Sequence, residues 1–209
     1  MLQSLHTLRK HSLFSQTESR EKCRVNQVNF SIIKQFEGAC MLQAYVPDPR
    51  GSDSGVTVAS GFDLGARNTH DLSRLGIKVE LLNKLKPYLG LKGLNALEKI
   101  KHNPLNISTT DCAFIDNALK THFISSFSLK YNQAITSKSL KFQELPWQAQ
   151  TVMISVAFQY GNLCTETPQF WEALTAQDWV KTISILEDFK DKYKPRRLRE
   201  AALLKEAFK

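Results

Sequence analysis

Apolar residues recur at Phe30, Ile32, Ile33, Phe36, Ala39 and Cys40, a spacing close to one helical face. The pattern predicts a helix from Phe30 to Met41, with Asn29 placed to cap it and Gly38 near its end. The periodicity stops in the stretch AYVPDPRGSDSGVTVASGFDLG, which Pro47, Pro49, Gly51, Gly55, Gly61 and Gly65 punctuate. Only short strands fit between such breaks. Val56-Thr57-Val58 is β-prone, so a small hairpin or three-stranded sheet is expected. Beyond Asp71 the pattern turns helical. Short amphipathic pieces run over Asp71–Leu75 and Val79–Leu89, and a longer helix, capped by Thr109-Thr110-Asp111, runs towards Tyr131. Pro146 opens a dense apolar segment through Trp147, Val152, Ile154, Val156 and Phe158, which reads as a buried central helix. Helices over Phe170–Leu174, Trp179–Phe189 and, strongly basic, Arg196–Phe208 complete the series. The expected architecture is α+β: a small β lobe, a larger helical lobe, and a ligand cleft between them. Residues 1–28 are polar and charged and read as an extension, a docking segment or an incidental tail; 29–209 form the domain.

Charge and composition narrow this picture without choosing a function. The formal net charge is +8, which favours polyanionic partners such as nucleic acid, an anionic membrane or the acidic bacterial wall. No helix-turn-helix, RNP or zinc-finger pattern is present, and the basic residues are scattered apart from Lys194–Arg199, so nucleic acid is disfavoured. Cys23, Cys40, Cys112 and Cys164 form no CxxC pair, which argues against zinc. They are expected to be free, mostly buried thiols, with one long-range disulfide open in an oxidising compartment. His6, His11, His70, His102 and His122 show no ligand spacing, and no metal or organic cofactor is implied. Trp147, Trp171 and Trp179 read as core. The N-terminus lacks the continuous apolar run of a signal peptide, and no segment is long enough to span a membrane.

One cluster of residue types carries chemistry. Glycoside hydrolysis requires a protonated carboxyl for the leaving oxygen and a second carboxylate for water or for nucleophilic attack. Glu37 follows Phe36 on the first, otherwise apolar helix, where partial burial would keep it protonated near neutrality. Thr57 lies in the expected hairpin and Asp63 just after it. A threonine hydroxyl beside a carboxylate can hold an attacking water. Each residue also has a plainer reading. Glu37 is then a solvated helix residue, Thr57 an ordinary strand residue, and Asp63 the cap of a helix starting near Leu64.

The run FEGACMLQAYVPDPRGSDSGVTVASGFDLG resembles the entry segment of phage-type lysozymes, and is most similar to their pesticin-like branch, the muramidase domain of a bacteriocin. Downstream, QTVMISVAFQYGNL, FWEALTAQDWVKTISIL and KYKPRRLREAALL resemble the central helix, the following helix pair and the basic C-terminal segment of that superfamily, in the same order. The resemblance covers roughly residues 29–209. It implies a lysozyme-like fold and cleavage, with inversion, of the β-1,4 bond from N-acetylmuramic acid to N-acetylglucosamine. By position it makes Glu37 the general acid and Thr57 the catalytic threonine. The catalytic aspartate follows the hairpin in the pesticin-like branch, pointing to Asp63, and precedes it in phage lysozymes proper, pointing to Asp48; the G-F-D-L-G context favours Asp63. Arg197, with Arg196 as alternative, resembles the arginine that pairs with the catalytic glutamate. Tyr45 is placed to line the cleft against sugar rings or to pack under the hairpin. Phe62 stands where phage lysozymes usually carry histidine, a departure that again favours the pesticin-like branch.

The expected partner is therefore peptidoglycan, acted on in the periplasm by a monomer made in the cytoplasm, with a cognate immunity protein where the role is antibacterial. A phage endolysin and an injected secretion-system effector fit equally. The rival of another class is a non-catalytic peptidoglycan-binding module on the same scaffold.

Overall fold

The structure, a computed structural model, describes residues 27–34, 39–51 and 53–209. Glu37 and residues 1–26 lie outside the described residues. Two compact units divide the described residues: Phe30–Leu129, and a second built from Lys130–Lys209 together with Gln27–Asn29.

The unit Phe30–Leu129 holds helix α1 (Phe30–Lys34) and a three-stranded antiparallel sheet of order β1-β2-β3: β1 (Met41–Tyr45), β2 (Thr57–Ala59) and β3 (Phe62–Asp63). The helix expected to reach Met41 is corrected here, because Met41 already pairs with Ala59 across the sheet. A run of six apolar residues over eleven positions fits two periods, and pairing with β2 decides between them. β1 is further anchored through its backbone, the Ala44 N–H donating to the Leu105 carbonyl and the Ile107 N–H to that of Leu42.

Helices α2 (Thr69–Arg74), α3 (Val79–Leu85), α4 (Gly93–His102) and α5 (Thr109–Ala134) follow, with a 3-10 turn over Lys86–Tyr88. Asn68 caps α2 through a capping box with Asp71. A second such exchange opens α5 one residue earlier than expected: the Ser108 N–H donates to Asp111 Oδ2, and the Asp111 N–H to Ser108 Oγ. The Ser108 N–H holds the Asp111 carboxyl below its ordinary range, against a smaller push from burial. The sheet and these helices close on one apolar core that includes Val56, Val58, Phe62, Leu64, Leu85 and Ile115.

The other unit is helical. α6 (Trp147–Tyr160) buries every residue from Ala149 to Ala157, so it is surrounded on all sides and its polar members need internal partners. Gln150 and Thr151 find them in the N–H groups of Gln27 and Asn29. α7 (Leu163–Glu166), α8 (Pro168–Ala176), α9 (Trp179–Glu187) and α10 (Lys194–Ala207) complete it. The tryptophans expected in the core are only partly buried. Trp179 stacks on Phe208 at 4.2 Å, and Trp171 meets Tyr131 edge-on. The fold is α+β and lysozyme-like: mostly helical, with one small antiparallel sheet. No helix among the described residues is long and apolar enough to cross a membrane.

Candidate active site

The sheet register gathers three of the candidate residues. Tyr45 is the partner of Thr57 across β1 and β2, and Thr57 is the partner of Asp63 across β2 and β3. The three stand in one row across the strands. Directly opposed residues share a face, with Cβ atoms typically about 4.5–5.5 Å apart. A one-residue slip would send Thr57 and Asp63 to opposite faces. On the opposite face Val58 and Phe62 are paired and buried in the core. Ser60-Gly61 joins β2 to β3, and Gly61 at φ +96° takes the left-handed conformation that a side chain would resist.

Asp63 is half-buried and does not cap a helix, since no helix begins at Leu64. Its Oδ1 accepts two backbone hydrogen bonds, from the Gly65 N–H at 2.7 Å and the Gly55 N–H at 3.1 Å. Among the described residues its other oxygen accepts none. Thr57 is 2% exposed, and its hydroxyl donates to the Gly55 carbonyl at 3.1 Å. The row thus carries a carboxylate held by one oxygen and a hydroxyl whose proton is committed inward. Tyr45 is half-buried at the other end of the row.

Asp48 is placed differently. It is exposed at φ +34°, and its Oδ1 accepts the Gly51 N–H at 2.8 Å. That is the local geometry of an aspartate closing its own turn.

Arg196 and Arg197 belong to a buried polar network in the helical unit. Arg197 is 1% exposed. Its Nε donates to Asp191 Oδ2 at 2.9 Å, Nη1 to Glu200 Oε2 and Nη2 to Gln159 Oε1. The guanidinium also lies over the rings of Phe189 and Tyr160, at 4.7 and 5.4 Å. All three guanidinium nitrogens of Arg197 are thus engaged by side chains of the same helical unit. Arg196 is somewhat more open, donating to Glu200 Oε1 at 3.1 Å and to the Ser155 carbonyl and hydroxyl at 2.8 Å. Burial alone would lower the Arg197 pKa, yet the Glu200 and Asp191 carboxylates raise it, so the charge is kept. Burial likewise pushes the Asp191 carboxyl up, but hydrogen bonds from Tyr160 Oη, the Tyr193 N–H and Arg197, together with the Arg197 charge, hold it below its ordinary range. Tyr160 is shifted up, first by burial and then by Asp191.

Sequence reasoning missed Glu200, Asp191, Ser155 and Gln159. A trace was present in PRRLRE, where Glu200 stands three and four residues after the two arginines on a helix. It also missed the roles of Gly55 and Gly65, for which no spacing rule exists. Cys40 and Cys112 are joined as a disulfide with a Cα–Cα distance of 6.7 Å, which corrects the expectation of free thiols for this pair. Cys164 is free and exposed rather than buried. Beside the disulfide, Asp116 accepts the Ser60 N–H at 3.2 Å and the Ser60 hydroxyl at 2.8 Å. The helical unit also bears an open groove of about 610 Å³, with Tyr160, Phe170 and Phe189 as aromatic walls and Glu166, Asp188 and Lys190 among its polar lining.

A family described as "Pesticin: Bacterial toxin homologue of phage lysozyme, C-term" matches residues 27–180. No curated protein matches the chain.

Proposed function

Because the chain belongs to the pesticin family of phage-lysozyme homologues, which supports a lysozyme-type muramidase in general, we propose that it hydrolyses the β-1,4 bond between N-acetylmuramic acid and N-acetylglucosamine, with inversion. Glu37 is the general acid and Asp63 the base, with Thr57 beside it. A water donates one proton to the unoccupied oxygen of Asp63 while its oxygen bonds to the anomeric carbon from the face opposite the leaving group. The bond from that carbon to O4 of the next sugar breaks, and O4 takes the proton of Glu37. The product is a reducing end of inverted configuration, and a proton must pass from Asp63 back to Glu37 before the next turnover.

The observation that carries this reading is the row Tyr45–Thr57–Asp63. It brings an acceptor oxygen and a hydroxyl onto one face of the sheet, while Val58 and Phe62 pair with each other on the opposite face, in the core. Asp63 is preferred to Asp48 because it has a paired neighbour in Thr57, whereas Asp48 closes its own turn. Tyr45 offers its ring to a sugar. For Arg196 and Arg197 the network favours a structural part, with Arg196 the better placed of the two to act on another side chain.

The biological setting that fits is antibacterial: a lytic toxin acting on peptidoglycan in the periplasm of a target cell, countered in the producer by a protein that blocks the site. A phage endolysin performs the same chemistry. The decisive experiment is clearing of isolated peptidoglycan by the wild type and by Glu37→Gln, with the anomeric configuration of the products followed by NMR. The wild type clears and releases the inverted anomer; the variant, folded alike, does not clear. Undiminished clearing by Glu37→Gln would refute the acid role, and a wild type that binds the wall without cutting it would make the chain a binding module.

A further inference from the structure

Gly55 touches both halves of the water-handling pair. Its N–H donates to Asp63 Oδ1 at 3.1 Å, and its carbonyl accepts the Thr57 hydroxyl at 3.1 Å. One residue therefore sets how the carboxylate and the hydroxyl face one another. With its proton spent on Gly55, the Thr57 oxygen has only lone pairs left to present. With Oδ1 turned to Gly55 and Gly65, the carboxylate has Oδ2 left. Both groups act as acceptors, so a water between them donates both of its protons and keeps its lone pairs for the anomeric carbon.

The backbone of Gly55 is fixed from behind. A Cβ at this position would lie 2.3 Å from Gly65 Cα, 2.5 Å from Gly65 N and 2.6 Å from the Leu91 carbonyl oxygen. A Cβ at Gly65 would meet Gly55 Cα at 2.6 Å and the same oxygen at 2.6 Å. Two glycine backbones are in contact, and a third segment closes over them through the Gly55–Lys92 bridge and the Gly93 N–H on the Ser54 carbonyl. In that bridge the Gly55 N–H is left for Asp63.

We infer that Gly55 is a positioning residue of the muramidase site, its peptide N–H and carbonyl together orienting Asp63 and Thr57 so that the attacking water donates to both. The inference rests on the reading of Asp63 and Thr57 given above. Gly55→Ala is the obvious variant, but its methyl meets backbone and threatens the fold. The cleaner change replaces the Gly55 peptide nitrogen by an ester oxygen, introduced as glycolic acid at a suppressed stop codon. It deletes the donor and adds no atom to the contact.

Turnover on soluble glycan strands is expected to fall about 10–100-fold at nearly constant KM, the cost of a misplaced reacting group, with the melting temperature little changed. Azide, a nucleophile that needs no base, should then restore turnover by bonding to the anomeric carbon as O4 leaves with the Glu37 proton, giving a glycosyl azide. A loss through general disorder would not be rescued in this way. Wild-type turnover in the ester variant, or a loss that azide leaves unmoved, overturns the inference. Asp63→Ala separates it from the reading beneath it. Wild-type turnover in Asp63→Ala overturns that reading, whereas an azide-rescued Asp63→Ala beside an unimpaired ester variant overturns the role of Gly55 alone.

Discussion

Asp63 on β3 and Arg197 on α10 are both charged side chains held by several hydrogen bonds, yet they are held in opposite ways. Asp63 is gripped on one oxygen by backbone N–H groups, and its other oxygen has no partner among the described residues. Arg197 is gripped by side chains on each of its three nitrogens and roofed by two aromatic rings. Backbone donors cost no side-chain entropy and leave a carboxylate with spare capacity for a ligand. A ring of side-chain partners uses up capacity and makes each member dependent on the others. The sheet is built to offer a charge and the helical network to retain one.

The contrast breaks most sharply under substitution. Asp63→Asn keeps the two accepted hydrogen bonds through its amide oxygen, so the fold should survive while wall clearing falls by about 10²–10⁴-fold, the worth of a positioned base. If clearing is retained, the sheet offers nothing. Arg197→Met should do the reverse, taking from Asp191 its cation and leaving Glu200 with Arg196 alone, at a cost of about 3 kcal/mol in urea unfolding. Clearing should drop only with the folded fraction; a larger drop would return Arg197 to the site. Next in size is the disulfide. Cys40→Ser with Cys112→Ser, or reduction, should lower stability by about 2–4 kcal/mol, seen as a lower urea midpoint in reduced than in oxidised samples.

Acid offers a finer test. The Asp191 and Asp111 carboxyls are held below their ordinary range in the folded chain. Their contribution to stability is therefore full above the unfolded carboxylate pKa, about 3.9, and is lost as pH falls through the lower folded values. The melting temperature should decline below about pH 4, and Asp191→Asn should flatten the part of that decline owed to the network. The smallest effect belongs to Asp48→Asn. It retains an oxygen for the Gly51 N–H and should leave clearing unchanged.

The sheet was legible because proline and glycine spaced its strands, and Thr57 and Asp63 fall opposite each other for that reason. Glu37 rests on its place after an apolar run and on the resemblance, and it lies outside the described residues. Other features left weaker traces. Helix α4, Gly93–His102, was not foreseen: Ala96, Leu97 and Ile100 do turn one face inward, but it opens on a glycine at positive φ and its first apolar side chain, Leu94, is exposed. The run to Met41 was read as helix because its apolar spacing is ambiguous without a pairing partner. The Arg197 network joins groups 38 and 45 residues apart, and no local rule reports such meetings. The choice of Cys112 as the partner of Cys40, 72 residues on, is likewise a property of the folded chain.

That bond has a consequence for connectivity. It makes residues 40–112 a closed covalent ring, and Tyr45, Thr57 and Asp63 all lie on its circumference. A single cut within the ring opens it without releasing anything. A protease that nicks the turn around Pro47–Gly51 would leave one species on a non-reducing gel and two fragments once the disulfide is reduced, while two cuts would free only the stretch between them.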